Sequence, residues 1–264
     1  MAKSDSFPVA AAQIAAEMAH EPEDRSKWRE KVRPPRPERV ARRAMVLGAM
    51  GARADMERAH GESGTADAHR RLLSWLFDAG LKDEAEPQEW SFLDAHLGSL
   101  DAQQSVAASW RIEGAVVLDW ALGLANIPSH DSSATPNEAL TPLGFMSVDA
   151  SRQVIGGARL RPDSHLYHAY NRLWQIHWRL VEYRTRPSLI DLREMERRHD
   201  WWGLLDIPDS ALSAEGDLIV GGKAIGKADP QAVALTTRIA VERHLAANWL
   251  IGLGTRYSDI TADT

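Results

Sequence analysis

Two stretches of the chain depart from the single apolar stripe of a surface helix. Trp110–Leu124 and Val233–Ile251 carry apolar residues at almost every position, yet hold charge near the middle. A helix that is apolar all round is buried, so its charges go inside with it. In the first stretch, Trp110, Glu113, Val117, Trp120 and Leu124 share one helical face, and Arg111, Gly114, Ala115, Leu118 and Leu122 another. In the second, only Arg238, Glu242, Arg243 and His244 are charged or titratable. His244 lies with Ala240, Ala247 and Ile251, and Glu242 with Ile239, Ala246 and Trp249.

The rest of the pattern predicts further helices. A short amphipathic one is expected over 8–20. Another starts at Pro37 and runs through Val40, Met45 and Leu47, and one spans Asp67–Ala79 with Gly80 as its stop. Pro87 opens a helix ending near Gly98, and the long central helix begins near Asp101. Residues 126–147 read as a polar loop. Asp163 is expected to cap a helix through Tyr183, and Ser188–Trp202 reads as helical. Leu218-Ile219-Val220 before Gly221-Gly222 is the one strand signal and predicts a small hairpin near 218–226. Asp229-Pro230 caps and opens the last helix. The fold expected is therefore all-α: a compact multi-helix domain over 37–264 with one small β-hairpin, preceded by a charged arm over 1–36.

Composition changes this picture at a few points. Of 264 residues, 44% are hydrophobic and 26% charged, as in an ordinary globular chain, and the net charge of −6 argues against a nucleic-acid binder. The arm is different: residues 21–43 hold nine Arg or Lys against five Asp or Glu. That stretch is either a solvated lead-in or a basic patch for an anionic partner. The absence of cysteine excludes disulfides, thiolate metal sites and a cysteine nucleophile. No run of about eighteen apolar residues predicts a membrane span. Gln13 and Glu17 interrupt the N-terminal apolar stretch, so no secretory signal is expected and the cytoplasm is the expected compartment. Ten Trp against four Phe and four Tyr predict a core whose indole N–H groups need acceptors.

An unpaired buried charge costs several kcal/mol or more, so the central charges must pair or bind something. In one reading Arg111 and Arg243 neutralise Glu113 and Glu242, with Asn248 and indole N–H groups filling the gaps. In another they line a pocket, with Glu113, His177, Glu242 and His244 as candidate acid–base residues and Arg111, Arg243 and Asn248 as candidate ligand-binding residues. A third presents the charges to a protein partner. His165 and His168 are three apart, a weak metal signal without a third ligand. Gly221–Lys227 matches GxxxxGK after a strand, but Ala228 stands where a phosphate loop needs Ser or Thr, and no parallel sheet is available to carry it. Nothing resembles a nucleophile elbow.

The segments Trp110-Arg111-Ile112-Glu113 with Trp120–Leu124, Ala158–Arg161 with His177-Trp178, Glu242-Arg243-His244 with Asn248-Trp249-Leu250, and Asp259–Thr264 together resemble the bacterial domain of unknown function 4272 family, over roughly residues 37–264. The resemblance implies a shared fold and brings no established activity. Members often end in a form like WDDVTTDT. Here Tyr257, Ser258 and Ala262 replace a Trp, an Asp and a Thr. The change at 258 removes one hard-metal oxygen ligand, leaving Asp259 and Asp263 as weak metal candidates. The other reading has the tail dock on the core, its aspartates capping N–H groups or pairing with Arg.

Two functions are therefore expected. The first is a non-enzymatic interaction or regulatory protein of the immunity kind, with a protein partner. The alternative is a small-molecule-binding protein or hydrolase with its pocket between the central helices, His244 or Glu242 serving as base. No cofactor is expected.

Overall fold

The helix at the centre of the molecule is one whose pattern is dominated by small residues rather than by large apolar ones. In the computed structural model, which describes residues 32–264, α1 runs Pro37–Arg58 and is buried at every position from Val40 to Ala54 except Arg42. Its glycines and alanines let neighbours approach the backbone. A Cβ on Gly48 would collide with the Leu140 side chain, and one on Gly51 would lie 2.5 Å from Cγ1 of Ile112. Pro37 takes the first-turn position where its missing N–H is not needed.

Around α1 come α2 (Thr65–Asp78), α3 (Pro87–Asp94), α4 (Ala102–Ser109), α5 (Arg111–Ala121), the short α6 (Pro136–Leu140), α7 (Val148–Gly157), α8 (Asp163–Thr185), α9 (Leu192–Arg198) and α10 (Pro230–Leu250). The chain forms a compact helical domain. Its two strands, β1 (Ile219–Val220) and β2 (Lys223–Ala224), pair antiparallel with Val220 opposite Lys223. The turn residues Gly221 and Gly222 have φ of 58° and 76°, the left-handed backbone that a two-residue hairpin demands. The GxxxxGK stretch is thus hairpin and 3-10 turn, with Ile225–Lys227 in the latter.

α5 packs on α1, and α10 packs on both α5 and α8. The C-terminal half of α10 enters an apolar core with α1, α2 and α5. Ala240, nearer its start, enters a second core with Ile176 and Leu180 of α8, Trp202 and the hairpin residues Leu218 and Val220. Asp229 caps α10 by accepting from Gln231 N–H at 2.8 Å.

Several expectations are corrected. The long central helix is broken at Trp110 into α4 and α5. The helix from Pro87 stops at Asp94 rather than near Gly98. The stretch 126–147 is not all loop, since Thr135 caps α6, and α7 follows behind its Ser147 cap. Asp163 is the first residue of α8 rather than its cap, because Pro162 precedes it in extended backbone. Ser188–Trp202 divides into α9, capped by Asp191, and a 3-10 turn at Asp200–Trp202. The first two turns of α10 are largely open, with Leu235 42% exposed, so its all-round burial begins only near Ile239. The helix expected over 8–20 and nearly all of the 1–36 arm lie outside the described residues.

Candidate functional site

The sequence candidates on α5 and α10 meet as two crossed ion pairs. Arg243 Nε donates to Glu113 Oε2 at 2.9 Å, with both side chains almost fully buried. Arg111 Nη1 donates to Glu242 Oε2 at 3.1 Å, nearer the surface. Every remaining direction around the first pair is used as well. Arg243 donates to the carbonyls of Pro128, Ser129 and Ser132, and Ala134 N–H donates to Glu113 Oε1 at 2.9 Å. The pair therefore holds the backbone of 128–134 against the helices. That segment in turn holds the hairpin, through His130 to the Ile219 carbonyl and through Asp131, which accepts from Gly221 N–H.

Burial pushes Glu113 above the usual carboxylate range and Arg243 below the usual guanidinium value, with their attraction recovering part of each. Burial also raises Glu242, which Arg111 partly offsets. For Arg111 burial works downward and is the largest single effect, but Glu242, Tyr257 and Glu89 together outweigh it and the group ends above its ordinary value. These directions are those of charges taken out of water and repaid by close partners.

Tyr257 sits beside these pairs, fully enclosed, with the guanidinium carbons of Arg43 and Arg111 at 5.6 and 5.7 Å from its ring centre. Such cation–π contacts strengthen when desolvated. Arg43 is anchored by Glu84 and Glu89, the latter at 2.7 Å. The tail from 252 onward is then tied down at Thr255, whose carbonyl accepts from Arg39, at Ser258 N–H, which donates to Glu86, and at Thr261, whose carbonyl accepts from Asn248 Nδ2 at 2.8 Å. Asp259 pairs with Arg256 through two bonds of 2.7 and 2.9 Å, and Asp263 is exposed. Among the described residues no group of three or more His, Asp or Glu is placed to hold a metal ion.

His177 of α8 and His244 of α10 form a separate buried pair, Nδ1 to Nδ1 at 3.1 Å, so one imidazole donates and the other accepts. Burial first, then the nearby Arg184, lowers His177 to about 4; burial and His177 lower His244 to about 3. Both are neutral at pH 7. The indole and amide groups expected to fill gaps do so only in part: Asn248 Oδ1 and Trp249 Nε1 have no hydrogen-bond partner. Asp119, on α5, is fully buried with neither oxygen bonded, and burial pushes its carboxyl well above the usual range.

Sequence reasoning missed three pairings whose partners lie far apart in the chain. Arg179 and Asp217 form a fully buried bidentate pair of 2.6 and 2.7 Å. Arg43 reaches Glu84 and Glu89. His168, rather than joining His165 at a metal, places Nδ1 2.9 Å from Asp206, whose other oxygen accepts from Asn171. No local signal marks these partners. Two surface cavities lie away from the central pairs. One of about 720 Å³ is bounded by Arg193, Glu196, Arg197 and Leu205–Asp209, the other of about 390 Å³ by Arg42, Phe77–Gly80 and Arg152.

A family model described as domain of unknown function (DUF4272) matches residues 25–198. The chain belongs to that family. No curated protein and no solved structure matches it. The DUF4272 match contains α1 and α5 and ends at Arg198, the last residue of α9. α10 and the tail, with Glu242, Arg243, His244 and Asp259, lie beyond it. Each crossed pair thus joins a residue inside the DUF4272 match to one outside it.

Proposed function

We propose that the chain works as a binding protein for another protein, of the regulatory or immunity kind, rather than as a catalyst. One observation carries this reading. Glu113 and Arg243 are turned inward and spent on each other and on the 128–134 backbone, and Arg111 pairs with Glu242 beside Tyr257 of the tail. A group so enclosed holds structure and has no face left for a substrate. The reading places the protein in the bacterial cytoplasm. No helix among the described residues is long and apolar enough to cross a membrane, in line with that placement.

The test is a tagged chain expressed at its native level, crosslinked in cells and purified. A protein partner recovered in stoichiometric amount, through specific residue-to-residue crosslinks, is the expected result. Purification alone with a tightly bound small molecule overturns the reading.

A second reading, a small-molecule site with acid–base chemistry, draws on His168 and Asp206. A carboxylate fixes the Nδ1 side of a half-exposed imidazole beside the larger cavity, which leaves Nε2 to act as acceptor. Under that reading His168→Gln abolishes a ligand-induced rise in melting temperature that Glu242→Gln leaves in place.

A further inference from the structure

The smaller surface cavity, about 390 Å³, opens between the end of α2, α7 and the second turn of α1. Phe77, which lines it, is 67% exposed, the most open large apolar side chain among the described residues. Ala79 and Ile155 lie buried beneath it. A Cβ placed on Gly80 or Gly156 would meet nothing within 4 Å, so the groove has room for side chains from outside.

The charged groups here are unbalanced toward the cation. Arg42 and Arg152 line the groove against one carboxylate, Asp78, which already accepts from Ser74 Oγ at 3.0 Å. Arg152 gives one hydrogen bond, at 2.6 Å, to the Asp78 backbone carbonyl and joins no ion pair among the described residues. Arg42 has neither a hydrogen bond nor an ion pair among them, not even with Glu38 one turn before it. Both guanidinium groups therefore keep donors to spare for carboxylates.

The chain itself carries a segment of matching character. Residues 5–24 lie outside the described residues and ahead of the DUF4272 match, and hold five Asp or Glu with no Lys or Arg. On the amphipathic helix expected over 8–20, Ile14 and Met18 share a face with Glu17, and Glu21 follows one turn later. Apolar and acidic groups thus come together on the segment as Phe77 and the two arginines do in the groove. The connection is long enough: residues 25–31 reach up to about 25 Å, and Arg42 sits in the second turn of α1, at the end where the chain enters. A tether of that kind holds the segment near the groove at an effective concentration on the order of millimolar, so a small contact suffices.

We propose that residues 5–24 dock in this groove, with Ile14 and Met18 against Phe77 and the acids on Arg42 and Arg152, as a strap that covers this face. Opposite charge selects the segment and fixes its place. The proposal stands apart from the protein-binding reading, since it needs no second protein.

Because the chain has no cysteine, two introduced ones report the contact directly. Full-length protein carrying Met18→Cys and Gly156→Cys is oxidised mildly at high dilution. An intramolecular disulfide is expected to form at least fivefold faster than in a Met18→Cys, Leu189→Cys protein, whose second cysteine is at an exposed position ahead of α9. Glu17→Lys with Glu21→Lys, which alter only the segment, are expected to slow the first pair at least fivefold. Adding Arg152→Glu, at an exposed position, is expected to return at least twofold of that loss. Equal rates for the two cysteine pairs, indifference to the charge reversals, no recovery with Arg152→Glu, or a disulfide found only between two molecules overturns the proposal. None of these outcomes bears on the protein-binding reading.

Discussion

Gly114 has a hydrogen where any other residue would place a carbon 2.7 Å from the Tyr257 hydroxyl and 3.3 Å from Cδ1 of Leu47. That close approach is what lets a tail residue reach the middle of α5. The hydroxyl itself has no hydrogen-bond partner, so removing it forfeits little. Gly114→Ala is expected to lose about 1–3 kcal/mol from overpacking, set against about 1 kcal/mol of better helix propensity. Tyr257→Phe is expected to be near neutral, and in the double variant the loss disappears and the propensity gain remains. Urea unfolding of the four proteins measures this. An equal loss from Gly114→Ala in both backgrounds would show that Leu47, not the hydroxyl, is the obstacle. The sequence placed Gly114 on a helical face but carried no sign that a residue 143 positions later fills the space above it.

At the level of elements, the Glu113–Arg243 pair fastens α5 to α10 and both to the 128–134 segment. Losing either partner leaves a buried charge and, for Arg243, three backbone carbonyls without their donor. Glu113→Ala and Arg243→Met are each expected to cost about 3–5 kcal/mol, and the double variant clearly less than their sum. Hydrogen exchange at 128–134 and at the hairpin is expected to rise in the Arg243→Met protein, because His130 and Asp131 carry the hold onward. Additive losses, or exchange unchanged in the segment, would contradict a shared clamp. Local pattern found both helices and their charges, since apolar periodicity is a property of neighbours. It left open which acid met which base: the pairing is crossed, over separations of 130 and 131 residues, and only helix packing selects it.

Over the whole molecule, the junction of α8 and α10 stores a dependence on pH. His177 and His244 face one another, with Tyr170 against His244 and with Arg184 and Asp263 the charges that act on His177, the first lowering and the second raising its proton affinity. Both histidines bind protons less readily folded than unfolded. The unfolded chain therefore takes up protons first as pH drops below about 6.5. Stability is full above that value and falls progressively toward pH 4, by about 3 kcal/mol for His177 alone. Unfolding midpoints between pH 7 and 5 measure the slope before most carboxylates contribute. A His177→Gln, His244→Gln chain is expected to flatten it, and an unchanged slope would mean that the pair is not held neutral.

Residue periodicity, caps and turn glycines determined the helical class, the hairpin, the start of α10 and the burial of α5, because each follows from interactions among residues a few positions apart. The short helices α6 and α7 escaped it, since their few apolar positions form no readable stripe and their Thr135 and Ser147 caps are common in loops. Only the tertiary structure decided that α1 is the hub, that Tyr257 returns between Arg43 and Arg111, and that His168 turns to Asp206. Those outcomes depend on which distant surfaces come together, and a buried charge is satisfied by whatever partner the packing brings within about 3 Å.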